Sequence, residues 1–133
     1  MHILRLIAIL LLLNGCSSPA MAYNEEEAIK AVIGEAEGNS DEMLAVSEAI
    51  RHRGTLKGVY GLKSFRVRYH LYSEETYDEA ETAWEESRYT NITHGATGWG
   101  NASDMRKFSR LKWFKHCSIT AHIGRQWFYK VRS

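Results

Sequence analysis

From Asn24 onward, apolar residues recur at helical rather than strand spacing. Ala28, Ala31, Val32 and Ala36 share one face of a helix, which predicts an amphipathic segment running to Gly38. Asn24 opens it as a cap, Glu27 completes a capping box, and Glu25 and Glu26 complement the positive end. Asn39 and Glu42 repeat the box, and Met43, Val46, Ala49 and Ile50 predict a second helix to about Arg53, stopped by Gly54. Residues 55–72, with Gly58 and Gly61 among apolar positions, read as an irregular connection. Ser73 then caps a third helix, with Tyr77, Ala80, Ala83, Trp84 and Ser87 facing inward. Gly95, Gly98 and Gly100 interrupt any periodicity between Asn91 and Asn101, so a loop with one short strand is expected. A basic helix or turn covers about Ser103 to His116, and Ile119 to Val131 reads as a hairpin around Gly124. The pattern is α+β: a small, mainly helical domain with a short hairpin.

The first 22 residues follow a different pattern. Arg5 precedes an unbroken apolar run from Leu6 to Leu13, which is too short to span a bilayer. Two cleavage signals follow it. Leu13-Asn14-Gly15-Cys16 is similar to a bacterial lipobox, in which Cys16 is lipidated; Ala20-Met21-Ala22 is a small-x-small site. Residues 1–22 therefore read as an export signal, with the lipobox alternative ending before Cys16, and residues 23–133 as the exported domain. The expected location is the periplasm or cell envelope, with membrane attachment through a lipidated Cys16 as one route.

Composition narrows the function. The chain has 133 residues, 17 basic and 16 acidic, and the near balance argues against a general nucleic-acid binder. Either cleavage leaves Cys117 without a cysteine to pair with, so it reads as a buried structural thiol. The histidines are scattered, with no metal-binding spacing, and no phosphate loop or Gly-x-Ser-x-Gly is present; neither metal nor cofactor is expected.

Glu35 is the most informative residue. It lies four positions after Ala31 and three after Val32, on the apolar stripe of the first helix. A carboxyl buried there resists ionisation, which suits a general acid near neutrality. The alternative is a buried ion pair with Arg51 or Arg53 of the next helix. Gly34 beside it leaves room for a close ligand, whereas Glu37 falls on the opposite face and reads as solvated. Of the other acids, Glu48 is the one that could approach the inner surface. Arg106, Lys107, Arg110, Lys112 and Lys115 form a basic segment, either a solvated face or a contact for an anionic polymer. Trp99, Trp127, Phe128 and Tyr129 could stack on sugars or fill the core.

Ile33-Gly34-Glu35-Ala36-Glu37-Gly38-Asn39, followed by Met43 to Gly54, resembles the SleB-like cell-wall hydrolases, the spore-cortex-lytic enzyme type. Gly58-Val59-Tyr60-Gly61, Gly95-Ala96-Thr97, Trp99, Asn101, Trp113 and Ile123-Gly124 with Phe128-Tyr129 follow in the family's order, so the likeness spans residues 25–130. The resemblance implies a lysozyme-like transglycosylase design, with peptidoglycan as partner and Glu35 as the catalytic acid. The implied reaction breaks the β-1,4 bond between N-acetylmuramic acid and N-acetylglucosamine by attack of the muramic C6 hydroxyl, for which one carboxyl suffices. Thr97, Trp99, Asn101 and Tyr129 would contact the glycan in a groove between the first two helices, the 95–101 loop and the hairpin. Gly98 stands where the family often carries His, which implies a wider cleft, and Gln126 replaces a frequent His. A non-catalytic peptidoglycan-binding lipoprotein on the same fold is the alternative.

Overall fold

The computed structural model describes residues 23–132; the predicted export segment and Cys16 lie outside the described residues. Three helices build the core: α1 (Glu25–Ala36), α2 (Ser40–Arg53) and, after a short α3 (Phe65–Arg68), α4 (Glu74–Glu86). Their starts follow from side-chain chemistry. Asn24 Oδ1 accepts from the Glu27 N–H at 2.7 Å, Asn39 Oδ1 from Glu42 at 2.9 Å, and Ser73 Oγ from Thr76 at 3.1 Å. Gly38 and Gly54 take positive φ angles of 88° and 75° after the first two helices. The connection predicted as irregular contains a 3-10 turn, Gly61–Lys63, besides α3.

Helix α1 packs against α2, α4 and the Gly61–Lys63 turn. It therefore buries Ile29 and Ile33 as well as the predicted Ala28, Ala31, Val32 and Ala36. The turn approaches closely because two glycines face each other. A Cβ on Gly34 would lie 2.1 Å from the Gly61 carbonyl oxygen, and one on Gly61 would lie 2.3 Å from that of Ala31. The place a Cβ would take at Gly34 is thus occupied by the Gly61 backbone.

The second layer is a three-stranded antiparallel sheet in the order β1-β3-β2. β1 (Gly98–Gly100) pairs with β3 (Gln126–Val131), placing Trp99 opposite Phe128 and Gly98 opposite Tyr129. β2 (Cys117–Ile123) and β3 form the predicted hairpin, with a bulge between Ile119 and Ala121. Between β1 and β2 lie α5 (Ala102–Phe108) and a 3-10 turn, Lys112–His116. Phe128 is fully buried and joins the sheet to the helical core. No described helix is long and apolar enough to cross a membrane.

Two buried acids on α2 tie the layers together. Glu48 accepts hydrogen bonds from the Thr93 hydroxyl (2.9 Å), the Thr93 and Ile92 N–H groups (both 3.0 Å) and the Thr90 hydroxyl (2.5 Å). Glu42 accepts from the Arg125 N–H at the hairpin tip, where Gly124 leaves no room for a Cβ beside the carboxyl. Glu48 thus faces the 90–93 segment with both oxygens occupied, and is a structural anchor rather than a reactive group.

Gly34→Ala drives a methyl into the Gly61 carbonyl and should cost about 1–3 kcal/mol or more of stability. Urea denaturation of the purified domain measures this directly. Wild-type stability in the variant would show that the two backbones do not touch.

Candidate active site

Glu35 occupies the last turn of α1, half-buried. Its carboxyl opens into a cleft of about 500 Å³ whose walls come from α1, the Tyr60 turn, β1, the start of α5 and the hairpin. Burial pushes its pKa up. The Trp99 indole N–H, which donates to Oε2 at 3.2 Å, and the backbone amides of Gly61 and Tyr60 oppose that rise. The negative charge of Asp104, which also lines the cleft, adds to it. Desolvation is the largest of these effects, so the proton is held more tightly than in an ordinary carboxyl. The Gln126 amide donates to the Glu35 carbonyl oxygen at 3.4 Å and ties this turn to β3.

The alternative of an ion pair does not hold. No ion pair among the described residues involves Glu35. Arg51 turns toward α4, where it donates to the Trp84 carbonyl and the Ser87 hydroxyl and lies 3.8 Å over the Trp84 ring. Arg53 lines the cleft, but its guanidinium donates to the carbonyls of Lys57 and Thr97. Glu37, expected to be solvated, is half-buried and pairs with Arg66 of α3, because the connection folds back along α1.

Of the predicted glycan contacts, Trp99, Asn101 and Tyr129 line the cleft with Glu35, while Thr97 lines a neighbouring hollow. Trp99 orients Glu35. Asn101 caps α5: its Oδ1 accepts from the Asp104 N–H at 2.9 Å, and its own N–H donates to Asp104 Oδ2 at 3.1 Å. Asp104 is the cleft carboxyl that sequence reasoning missed; the Asn101-x-x-Asp104 spacing was its signal. Gly98 does not widen the cleft. A Cβ there would lie 2.3 Å from the Tyr129 ring, so the missing side chain is replaced by that ring.

The other aromatics divide. Phe128 is core, and Trp127 stacks on His122 at 3.8 Å between ring centroids. Cys117 is half-buried rather than buried, and burial raises its pKa, consistent with an inert thiol. The five basic residues between Arg106 and Lys115 are exposed.

No family model matches the sequence, and no curated protein matches it. The structure is similar to the catalytic domain of the Bacillus cereus SleB protein, with a TM-score of 0.55 and 20% identity. The match covers 86% of this chain and 99% of that domain. The chain shares the α+β fold of the SleB catalytic domain.

The raised pKa of Glu35 has a consequence for stability. Below about pH 4 the carboxyl is neutral in folded and unfolded chains alike, and burial costs nothing in charge. As pH rises through the raised value, the folded state alone resists ionisation and loses stability. Glu35→Gln removes that loss, so its stability relative to wild type should climb from pH 3.5 to neutrality. A pH-independent difference in denaturation midpoints would contradict the shift.

Proposed function

We propose that this protein cleaves peptidoglycan glycan strands at the β-1,4 bond between N-acetylmuramic acid and N-acetylglucosamine, as a lytic transglycosylase. The observation that carries this reading is Glu35: a half-buried carboxyl, free of any cation among the described residues, opening into a cleft that raises its pKa. The shared fold and the resemblance to SleB-like hydrolases support it.

In this mechanism the neutral Glu35 gives its proton to the glycosidic oxygen as the bond to the anomeric carbon breaks. N-acetylglucosamine leaves with a free hydroxyl. The muramic C6 hydroxyl then bonds to the anomeric carbon and returns its proton to the Glu35 carboxylate, so no water is consumed and a 1,6-anhydro ring results. The raised pKa serves the first step. The Trp99 indole steadies the carboxylate between the steps, at the oxygen it already contacts. Asp104 Oδ2 is engaged in the α5 cap, which leaves Glu35 as the acid–base group. Asn101 retains its side-chain amide N–H groups for a sugar carbonyl, and Tyr129 forms a wall of the cleft.

Mass analysis of fragments from digested sacculi tests the reaction. Anhydromuramic ends, lighter than hydrolysed ends by one water or about 18 Da, are expected. Glu35→Gln should lower the rate by about 10²–10⁴-fold while remaining folded. Reducing muramic ends would mean that water attacks, and Asp104, not the buried Glu48, would then be the base to test. Retention on sacculi without any fragments would favour a non-catalytic binding protein.

The reading also requires export. Residues 1–22 supply the signal, with lipidation at Cys16 as one route and cleavage after Ala22 as the other. Protein recovered from cells should contain no peptide spanning Leu10 to Leu13, and Cys16→Ser should release it from membranes only on the lipoprotein route. An intact N-terminus in a soluble cytoplasmic pool would exclude export.

A further inference from the structure

Beyond Asp104 the chain has no acidic residue, yet it gains eight basic ones. The acids gather instead on α4, where every Asp and Glu from Glu74 to Glu86 is exposed. Charge divided in this way orients the molecule in the field of an anionic surface, with the C-terminal side leading.

Packing makes the C-terminal cations one surface. Lys112 and Lys115 stand three apart on the 3-10 turn, where such side chains eclipse. Arg132, at the end of β3, donates to the Lys115 carbonyl oxygen and so joins them. Arg110 precedes the turn, and all four are exposed. None of them enters an ion pair among the described residues.

Apolar groups stand among these cations. Val131 is opposite Cys117 in the β2–β3 ladder and Ile119 is opposite Tyr129, so the four share one face of the sheet. Val131 is 63% exposed and Ile119 49%. Trp113, 45% exposed, closes the same patch: its ring lies 5.9 Å from that of Tyr129, and it lines a hollow with Val131. Leu111, two residues earlier, is exposed as well. A soluble polyanion satisfies the cations but offers nothing to Ile119 and Val131. A bilayer surface takes both, its phosphates meeting the cations while aliphatic and indole groups enter the headgroup region.

We infer that this face, centred on Trp113, docks on the surface of an anionic lipid bilayer, with Lys112, Lys115 and Arg132 on lipid phosphates and Ile119 and Val131 in the interfacial region. The inference does not depend on the enzymatic reading, because neither Glu35 nor its proton takes part. It is also separate from lipidation at Cys16.

The protein beginning at Tyr23 serves for the test, since it keeps the whole described core and lacks the apolar run from Leu6 to Leu13. It should sediment with phosphatidylcholine vesicles that contain phosphatidylglycerol but not with phosphatidylcholine alone, and salt should weaken the binding. Lys112→Gln combined with Lys115→Gln should lower the affinity about fivefold for each charge removed. Ile119→Thr combined with Val131→Thr keeps strand-forming side chains and every charge. That pair should lower vesicle affinity about fourfold or more while leaving binding to soluble polyphosphate as in wild type. Glu35→Gln should bind vesicles like wild type. Absence of binding to the anionic vesicles would overturn the inference. Unchanged vesicle affinity in the Ile119 and Val131 pair would overturn it too, making the face a contact for soluble polyanions. A salt-sensitive dimer in size-exclusion chromatography, broken by the Lys112 and Lys115 pair, would instead assign the face to the acidic α4 of a second copy.

Discussion

Backbone groups buried against a helix must find hydrogen-bond partners there, and in this protein carboxylates on α2 provide them. Glu48 receives two N–H groups and two hydroxyls from the 90–93 segment, and Glu42 receives the N–H of Arg125 at the hairpin tip. The loop leading to β1 and the tip joining β2 to β3 are thereby held to the same helix. These are the segments that carry Trp99 and Tyr129 to the cleft. The pairing of β1 with β3 and the contacts of His52 and Arg53 with the Ala96 and Thr97 carbonyls complete the placement of Trp99.

The contrast among the three inward acids explains where chemistry is available. Glu48 accepts four hydrogen bonds from the 90–93 segment, and Glu42 is turned to the hairpin. Glu35 receives fewer donors than Glu48, with burial the larger influence, and it opens on a cleft. An acid that remains protonatable in a concave, partly apolar site is suited to proton transfer. The same environment would be a defect at the other two positions, where a neutral carboxyl would give up acceptor capacity that buried N–H groups require.

Glycine sets the fine geometry. Gly34 and Gly61 let the connection press directly on α1, which brings the Tyr60 and Gly61 amides to Glu35. Gly98 lets the Tyr129 ring lie on β1, and the seated ring forms a wall of both hollows. At these places the absent side chain admits another part of the protein, while Gly34 still lines the cleft beside Glu35. Cleft width is therefore set by which segment fills each gap.

Much of the framework was legible along the chain. Asn24, Asn39 and Ser73 cap helices where their side-chain chemistry predicts, Gly38 and Gly54 follow the first two, and Gly124 lies at the hairpin tip. Such signals act within one or two turns of backbone, so a sequence contains them whole. The inward position of Glu35 was legible for the same reason, since helical spacing alone puts it beside Ala31 and Val32. What faces it was not. Spacing left an acid and an ion pair equally open, and the choice fell to Arg51 turning onto Trp84 and to Trp99, 64 positions from Glu35, supplying a neutral donor. Asp104 entered the cleft, Thr97 moved to the next hollow, and Gly34 and Gly98 were covered by backbone and ring. Each of these depends on how separate elements pack. A residue's face is determined by its own helix or strand, but its partner is determined by whichever distant segment must satisfy its polar groups and fill its space against that face.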